Sequence, residues 1–128
     1  MMSHILLVED NPQSAEMTIR ILEAAGYTVK HCERGFEGAK QARSQRPDLI
    51  LMDFNLPDVD GRTLILGLKR QLGGDKAPPF VALTARNNPT EMVLAQRFGY
   101  SAFISKPFSP ERLLEVAREL IPQKDTQA

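Results

Sequence analysis

The fold is decided by a short apolar run that ends in an acid, LILMD at residues 49–53. A continuous apolar run of this length predicts a strand that is buried on both faces of a sheet. Residues 5–8 and 80–83 have the same character, whereas residues 27–32 alternate and residues 102–104 form only a short run. The pattern therefore predicts three central strands and two edge strands.

A helical stretch follows each of these runs, and several of the stretches carry a start signal. Asn11, Asn88 and Ser109 each precede a proline, which combines a polar N-cap with proline at the first helical position. Alternating strands and helices predict an α/β domain with a parallel sheet covered by helices on both faces. Right-handed crossovers and buried central strands favour the strand order 2-1-3-4-5. The predicted helices cover residues 12–25, 35–44, 61–72, 89–98 and 110–121.

The composition is that of one ordinary globular domain, since 42% of the 128 residues are hydrophobic and 25% are charged. The 16 basic side chains balance 16 acidic ones, which argues against binding to nucleic acid. The single cysteine, Cys32, excludes an internal disulfide. No apolar run is long enough to span a bilayer. We expect a cytoplasmic protein with a domain at residues 1–122 and a flexible tail at residues 123–128.

Polar side chains follow four of the five predicted strands. Strand 1 is followed by Glu9 and Asp10, strand 3 by Asp53, strand 4 by Thr84, and strand 5, after one serine, by Lys106. The chain reverses direction between strands 1 and 3, and ligands of open α/β sheets bind at such a point, beyond the carboxyl ends of the strands. Strand 2 contributes nothing comparable. We therefore expect three carboxylates, a hydroxyl and an ammonium group to converge at one edge of the sheet.

This combination of groups predicts a metal site. Carboxylates that share a partly desolvated site repel one another, so the cluster needs compensating positive charge. Lys106 supplies part of it, and Mg²⁺, a hard cation with oxygen ligands, is the natural remainder. Glu9 and Asp10 leave the same strand end and suit a metal anchor. Asp53 lies at the centre of the crevice, where its carboxylate can attack phosphorus to give an aspartyl phosphate.

Four segments carry a resemblance to a known family. They are ILLVEDN at residues 5–11, PDLILMDFNLPDVDG at residues 47–61, VALTA at residues 81–85 and AFISKPF at residues 102–108. In this order and at these spacings, they resemble the receiver domain of two-component response regulators. The resemblance covers residues 4–121 and implies a flavodoxin-like fold.

The resemblance implies a role for each residue of the polar cluster. Asp53 would be the phosphoacceptor, which takes a phosphoryl group from a sensor histidine kinase or a histidine phosphotransfer protein. Asp10 and Asp53 would bind Mg²⁺ through their carboxylates and Asn55 through its backbone carbonyl, with Glu9 acting mainly through metal-bound water. Lys106 would pair with a phosphoryl oxygen.

The resemblance also implies a conformational switch. Thr84 would hydrogen-bond the phosphoryl group after it arrives, and Phe103 would turn inward when Thr84 moves. A downstream protein would bind the surface formed by helix 4, strand 5 and helix 5. The peptide bond between Lys106 and Pro107 would be cis. Such a receiver is not an enzyme beyond its own phosphorylation and dephosphorylation, and it contacts neither nucleic acid nor membrane directly.

Two other functions compete with this one. A stand-alone Mg²⁺-dependent phosphatase or toprim-like enzyme would use a glutamate after one strand and a later pair of aspartates, here Asp58 and Asp60, without needing Thr84 or Lys106. A turn before helix 3 is the simpler interpretation of that pair. A degenerate interaction module would have lost an acid, the acceptor or the lysine, and this sequence retains all of them.

Helix 1 carries a second apolar arc beside the one that faces the core. It consists of Met17, Ile21 and Ala24. Either this arc packs against helix 5, or it forms an exposed patch at which a kinase docks.

Overall fold

The computed structural model describes residues 3–85 and 89–121, which form one parallel sheet with helices on both faces. The strands lie in the order β2-β1-β3-β4-β5, which confirms the predicted topology. They are β1 (His4–Val8), β2 (Thr28–Cys32), β3 (Leu49–Asp53), β4 (Phe80–Thr84) and β5 (Ala102–Ser105). The helices are α1 (Pro12–Ala24), α2 (Gly35–Ser44), α3 (Gly61–Gln71), α4 (Pro89–Phe98) and α5 (Pro110–Leu120), with a turn of 3-10 helix at Gly74–Lys76.

Some of the sequence-based expectations fall beyond these ranges. Asn88, the domain end at residue 122 and the tail at residues 123–128 lie outside the described residues. Within the part of the chain that is described, no helix combines the length and the apolar character needed to cross a membrane.

The sheet separates two apolar cores, because successive residues of a strand point to opposite faces. Leu6 and Ile50 belong to the core shared with α2, α3 and α4, whereas Ile5 and Leu51 belong to the core shared with α1 and α5. Every residue of β3 and β4 is buried. In β2, exposed and half-buried residues alternate up to the buried Cys32. The continuous and alternating sequence patterns thus correctly distinguished central from edge strands.

The last residues of three strands are polar, and each strand runs one residue further than its apolar run predicts. Asp53 ends β3, Thr84 ends β4 and Ser105 ends β5. Asp53 pairs with Leu83 and Thr84 pairs with Ser105 in the parallel ladders. The sheet itself, rather than a loop, therefore fixes the backbone of Asp53 and Thr84.

The predicted caps of α1 and α5 are confirmed. Oδ1 of Asn11 accepts a hydrogen bond from the Ser14 N–H at 2.9 Å, and Oγ of Ser109 accepts one from the Arg112 N–H at 3.1 Å. A proline follows each cap, and its fixed φ and missing N–H suit the first helical position. Both helices therefore begin at the residue that the sequence predicts.

The loop between β3 and α3 supplies caps to two different helices. Asp58 accepts from the Gly35 N–H at 2.8 Å and from the Phe36 N–H at 3.0 Å, at the start of α2. Asp60 accepts from the Arg62 N–H at 2.8 Å, at the start of α3. The segment is therefore a turn, as predicted, and its two acids serve separate helices.

Gly61, the first residue of α3, lies against the end of β3. Its N–H donates to the Phe54 carbonyl at 2.8 Å, and its carbonyl accepts from the Tyr100 hydroxyl at 3.1 Å. A Cβ at this position would lie 2.5 Å from the carbonyl oxygen of Asp53. The missing side chain therefore lets the loop close against the strand.

We expect Gly61→Ala to lower the free energy of unfolding by about 1–3 kcal/mol, because backbone atoms must shift to admit the methyl group. Gly67→Ala is the matched control, since a Cβ at Gly67 in the same helix would meet nothing within 4 Å. The control should raise the free energy of unfolding by about 0.5–1 kcal/mol through helix propensity. Chemical denaturation measures both values, and equal effects of the two substitutions would contradict the close approach at Gly61.

Candidate functional site

Three carboxylates meet at the carboxyl edge of the sheet. Glu9 and Asp10 follow β1, Asp53 ends β3, and one carboxylate oxygen of each lies within 4.8 Å of the others. Glu9 is fully buried and Asp53 is 9% exposed, whereas Asp10 is exposed to solvent. The parallel pairing of β1 with β3 aligns Val8 with Met52 and so brings the two strand ends together.

The ammonium group of Lys106 bridges two of these acids. Its Nζ donates to Oδ2 of Asp53 at 2.9 Å and to Oε1 of Glu9. The Lys106 N–H donates to the Thr84 carbonyl at 2.8 Å, which extends the pairing of β4 with β5. The next peptide bond, to Pro107, is cis, as the resemblance implies. The lysine therefore reaches the acids from the far side of β4.

Hydrogen-bond donors engage both carboxylate oxygens of Glu9. Besides Lys106, Oε1 accepts from the Ser14 hydroxyl at 3.0 Å, and Oε2 accepts from the Asn11 N–H at 3.2 Å. Burial acts to raise the pKa of Glu9, but the Lys106 hydrogen bond and charge, together with Asn11 and Ser14, outweigh it and lower the pKa below its ordinary 4.5. Glu9 is therefore held as a carboxylate.

Asp53 is less well compensated for its burial. Its Oδ1 accepts from the Asn55 N–H at 2.9 Å. Burial raises the pKa of Asp53 above its ordinary 3.8 by more than Asn55 and Lys106 lower it, and the charge of Glu9 raises it further. Burial acts to lower the pKa of Lys106, but the hydrogen bonds to Glu9 and Asp53 outweigh it and raise that pKa. Of the two carboxylates that Lys106 bridges, Asp53 is therefore the one whose negative charge is less completely compensated.

The other predicted site residues lie near this edge in different ways. Thr84 is buried at the end of β4, and Asn55 is exposed in the loop after Asp53. Phe103 is half-buried in β5 and packs against the core shared with α2, α3 and α4, while its carbonyl accepts from Arg112 at 3.4 Å. The acids and the lysine therefore form one cluster with Thr84 at the same sheet edge, whereas Phe103 contacts the apolar core.

Strand β2 contributes to the site, contrary to the expectation from the sequence. Nε2 of His31 lies 2.7 Å from the carbonyl oxygen of Glu9, and the Cys32 carbonyl accepts from the Glu9 N–H at 3.0 Å. No side-chain motif marks these contacts, because both are made to the backbone of Glu9. The sequence indicates only that β2 is the neighbour of β1 in the predicted strand order, and so that the end of β2 lies near Glu9.

Phe54, the residue after Asp53, connects the site to two other elements. Its buried ring packs on Tyr100 with centroids 5.4 Å apart, and the Arg62 guanidinium lies 5.3 Å from the ring centroid. Arg62 also pairs with Asp60 at 2.8 Å. The aromatic side chain therefore joins the segment after Asp53 to the start of α3 and to the segment between α4 and β5.

The donor set fits Mg²⁺. The ion takes hard oxygen ligands, usually one or two carboxylates together with several waters. Glu9 is fully buried and accepts three hydrogen bonds, whereas Asp53 accepts two and is incompletely compensated for its burial, and Asp10 is exposed. Asp10 and Asp53 are therefore the candidates for direct ligands.

A parallel α/β domain with carboxylates, a lysine and a hydroxyl at its carboxyl edge has the chemistry of a phosphoacceptor signalling domain. Residues 5–118 match the response regulator receiver domain, and the chain belongs to that family. It is a receiver domain of two-component signalling, and its cluster of Glu9, Asp10 and Asp53 fits the phosphorylation site of such domains. The match is to a signalling family, and it leaves the phosphatase or toprim-like alternative without support.

Similar proteins differ in how much of their own length this chain covers. Protein PilH of Pseudomonas aeruginosa is 31% identical over 123 residues, which cover 94% of this chain and 98% of PilH. The DNA-binding response regulator MtrA of Mycobacterium tuberculosis is 32% identical over 127 residues, which cover 99% of this chain and 54% of MtrA. The chain thus spans about half the length of MtrA.

Solved structures of receivers have the same fold. Chemotaxis protein CheY4 of Vibrio cholerae superposes with a TM-score of 0.87 at 27% identity, and the match covers 94% of this chain and all of CheY4 (100%). The receiver domain of sensor histidine kinase PA1611 from Pseudomonas aeruginosa superposes with a TM-score of 0.84 at 31% identity over 94% of this chain and 98% of that one. That structure holds a magnesium ion in the active site cleft. Receiver domains thus bind Mg²⁺ at an acidic site of this kind.

The opposite pKa directions of Glu9 and Asp53 predict opposite effects of neutralising them. At neutral pH without divalent ions, we expect Glu9→Gln to lower the free energy of unfolding by about 2–4 kcal/mol, because a buried ion pair loses one partner. Asp53→Asn should raise the free energy of unfolding, because it removes a buried charge that is incompletely compensated.

The two shifts also fix the sign of the pH dependence. The Glu9 contribution to stability is present above its ordinary pKa of 4.5 and is lost as the pH falls through the lowered pKa of the folded state. The Asp53 contribution is present below its ordinary pKa of 3.8 and is lost as the pH rises through the raised pKa. The free energy of unfolding of the wild type and both variants, measured from acidic to neutral pH, gives each contribution. Changes of the same sign in the two variants would contradict the assignment.

Proposed function

We propose that Asp53 accepts a phosphoryl group from a phosphohistidine on a sensor histidine kinase or a histidine phosphotransfer protein, and that this changes the binding of a downstream protein. The observation that carries the proposal is the Lys106 ammonium group, which donates to Asp53 and Glu9 within a cluster of carboxylates. A preorganised cation beside the acceptor stabilises negative charge on an arriving phosphoryl group. Membership of the receiver family supports the class of donor.

The proposed reaction is a direct transfer between two side chains. A carboxylate oxygen of Asp53 bonds to phosphorus as the phosphorus–nitrogen bond of the phosphohistidine breaks. The electron pair of that bond returns to the ring nitrogen, and the ring, protonated on its other nitrogen, leaves as neutral imidazole. Lys106 stays protonated and pairs with a phosphoryl oxygen, while the Thr84 hydroxyl donates to another. Water later hydrolyses the aspartyl phosphate, and the protein acts on no other substrate.

The same residues are proposed to hold Mg²⁺. Asp10 and Asp53 supply carboxylates and Asn55 supplies its backbone carbonyl, with Glu9 acting through metal-bound water. When bound, the ion neutralises charge on the acceptor and on the phosphoryl group. The three hydrogen bonds that Glu9 accepts and its complete burial support an indirect role for that residue.

The added charge is proposed to drive the switch. Phosphorylation adds about 1.5–2 negative charges beside Lys106 and Thr84, which favours one of two pre-existing arrangements. Phe103, now half-buried against the core, turns further inward when Thr84 moves. The surface of α4, β5 and α5 then binds the downstream protein. Val93 and Leu94 support an interaction at α4, since they are 50% and 40% exposed.

The phosphoryl donor is proposed to dock beside α1. Met17 is 46% exposed and lines an apolar depression with Pro107 and Phe108, next to Lys106. Ile21 is half-buried against the core shared with α1 and α5, so only part of the predicted apolar arc is available. The reaction is proposed to take place in the cytoplasm, because the histidine donor is itself phosphorylated by ATP there. The proposal involves no direct contact with nucleic acid or membrane.

Chemical phosphorylation tests the acceptor. With Mg²⁺ and acetyl phosphate or phosphoramidate, we expect the protein to gain the mass of one phosphoryl group and Asp53→Asn to gain none. Asp58→Asn is the matched control, because this acid lies in the same loop but caps α2, and it should be labelled normally. Labelling that survives Asp53→Asn, or that is lost in a folded Asp58→Asn protein, would contradict the proposal.

A second prediction concerns Lys106, which is proposed to couple the phosphoryl group to the switch. We expect phosphorylation of the wild type to change amide hydrogen exchange in β5 and α5, and Lys106→Ala to lose most of this change without a loss of Mg²⁺ affinity, because removing a positive charge beside the carboxylates does not weaken cation binding. Lys40→Ala, which changes an exposed lysine of α2, serves as the control. A wild-type exchange response in labelled Lys106→Ala would count against the coupling role.

A further inference from the structure

The end of β2 makes hydrogen bonds to both the N–H and the carbonyl group of Glu9. The ladder between β1 and β2 pairs Val8 with Cys32. Beyond that pair, the Glu9 N–H donates to the Cys32 carbonyl at 3.0 Å, and the Glu9 carbonyl oxygen lies 2.7 Å from Nε2 of His31. The first contact continues the strand pairing, whereas the second comes from a side chain. His31 thus supplies a donor at the point where the ladder ends.

The chemistry of the contact fixes its direction. A carbonyl oxygen only accepts hydrogen bonds, so Nε2 of His31 carries the hydrogen. The imidazole ring has a hydrogen on this atom in one neutral tautomer and in the protonated form, so the bond does not depend on the charge of the ring. His31 is half-buried, and its backbone is fixed by the pairing with Leu7. The donor is therefore oriented by the sheet before any ligand arrives.

The carbonyl that His31 holds belongs to the peptide unit that leads to Asp10. Asp10 is exposed, and its carboxylate has no hydrogen-bond or ion-pair partner within residues 3–85 and 89–121. Its position relative to Asp53 is therefore set by the backbone at residues 9 and 10. This backbone is the part of the cluster that β2 fixes.

We infer that His31 is a positioning residue of the metal site, because its Nε2–H fixes the Glu9–Asp10 peptide unit and so holds the Asp10 carboxylate opposite Asp53. The inference rests on the proposed function, in which Asp10 and Asp53 bind Mg²⁺. Mg²⁺ demands near-ideal octahedral geometry, so a small displacement of one ligand lowers its affinity. Loss of a group that hydrogen-bonds and orients a metal ligand typically lowers the metal affinity by about 10–100-fold.

Titration calorimetry with Mg²⁺ alone tests the inference without any phosphoryl donor. We expect His31→Leu, which removes the donor but keeps an apolar body, to weaken Mg²⁺ binding by about tenfold. His31→Gln places an amide N–H at similar reach and should restore most of the affinity. Val29→Ala is the matched control, because Val29 is half-buried in the same strand and pairs with Ile5, away from Glu9. It should lower the thermal stability and leave the Mg²⁺ affinity unchanged.

The outcomes separate this inference from the proposed function. Wild-type affinity in His31→Leu, or an equal loss in Val29→Ala, would overturn the positioning role. If leucine prevents folding, His31→Val provides the same comparison with a residue that favours strands. Phosphoryl uptake by Asp53→Asn, together with weakened Mg²⁺ binding in His31→Leu, would overturn the acceptor assignment and leave the positioning role standing. A wild-type protein that binds no Mg²⁺ would overturn both.

Discussion

The two hydrogen bonds from the Lys106 ammonium group to Glu9 and Asp53 hold together carboxylates that would otherwise repel one another. Unit charges about 4 Å apart interact with roughly 4 kcal/mol at the effective dielectric constant of a protein surface. Lys106 offsets part of this repulsion, and Glu9, which has further donors, is fully stabilised as a carboxylate. Burial, with the charge of Glu9 adding to it, raises the pKa of Asp53, so the negative charge of this carboxylate is incompletely compensated. This residual charge is the physical reason for the crevice to take a divalent cation.

The contact of Lys106 with Glu9 and Asp53 depends on strand ends that lie side by side in the sheet. Residues outside the crevice fix the loop that follows Asp53. Asp58 ties the loop after β3 to the start of α2, and Asp60 ties it to the start of α3. Gly61 lets the same loop close against Asp53, and the Tyr100 hydroxyl holds Gly61 from the segment before β5. The segment that follows the acceptor is thus connected to three other elements, and a change at Asp53 has a packed route to each of them.

Most of the fold and the core of the site could be predicted from short runs of residues. The continuous apolar runs of β3 and β4 require burial on both faces, which made these strands central and, with right-handed crossovers, fixed the strand order. Polar residues that follow parallel strands must share one edge of the sheet, so the meeting of Glu9, Asp53 and Lys106 was predictable in advance.

The remaining contacts could not be predicted, for physical reasons. The bond from His31 ends on a backbone carbonyl, and every residue has one, so the acceptor leaves no mark in the sequence. The ring of Phe54 lies between Tyr100 and Arg62 because of tertiary packing, which no local spacing records. The 3-10 turn at Gly74–Lys76 also lacked a periodic pattern.

The central claim is that carboxylates from two strand ends and one lysine form a single cation-binding crevice. Crystals soaked with Mn²⁺, which replaces Mg²⁺ at oxygen sites and scatters anomalously, test it most directly. We predict an anomalous peak between the carboxylates of Asp10 and Asp53, with Lys106 beside Asp53. A peak at Asp58 and Asp60 instead, or side chains of Asp53 and Lys106 that point apart, would contradict the claim.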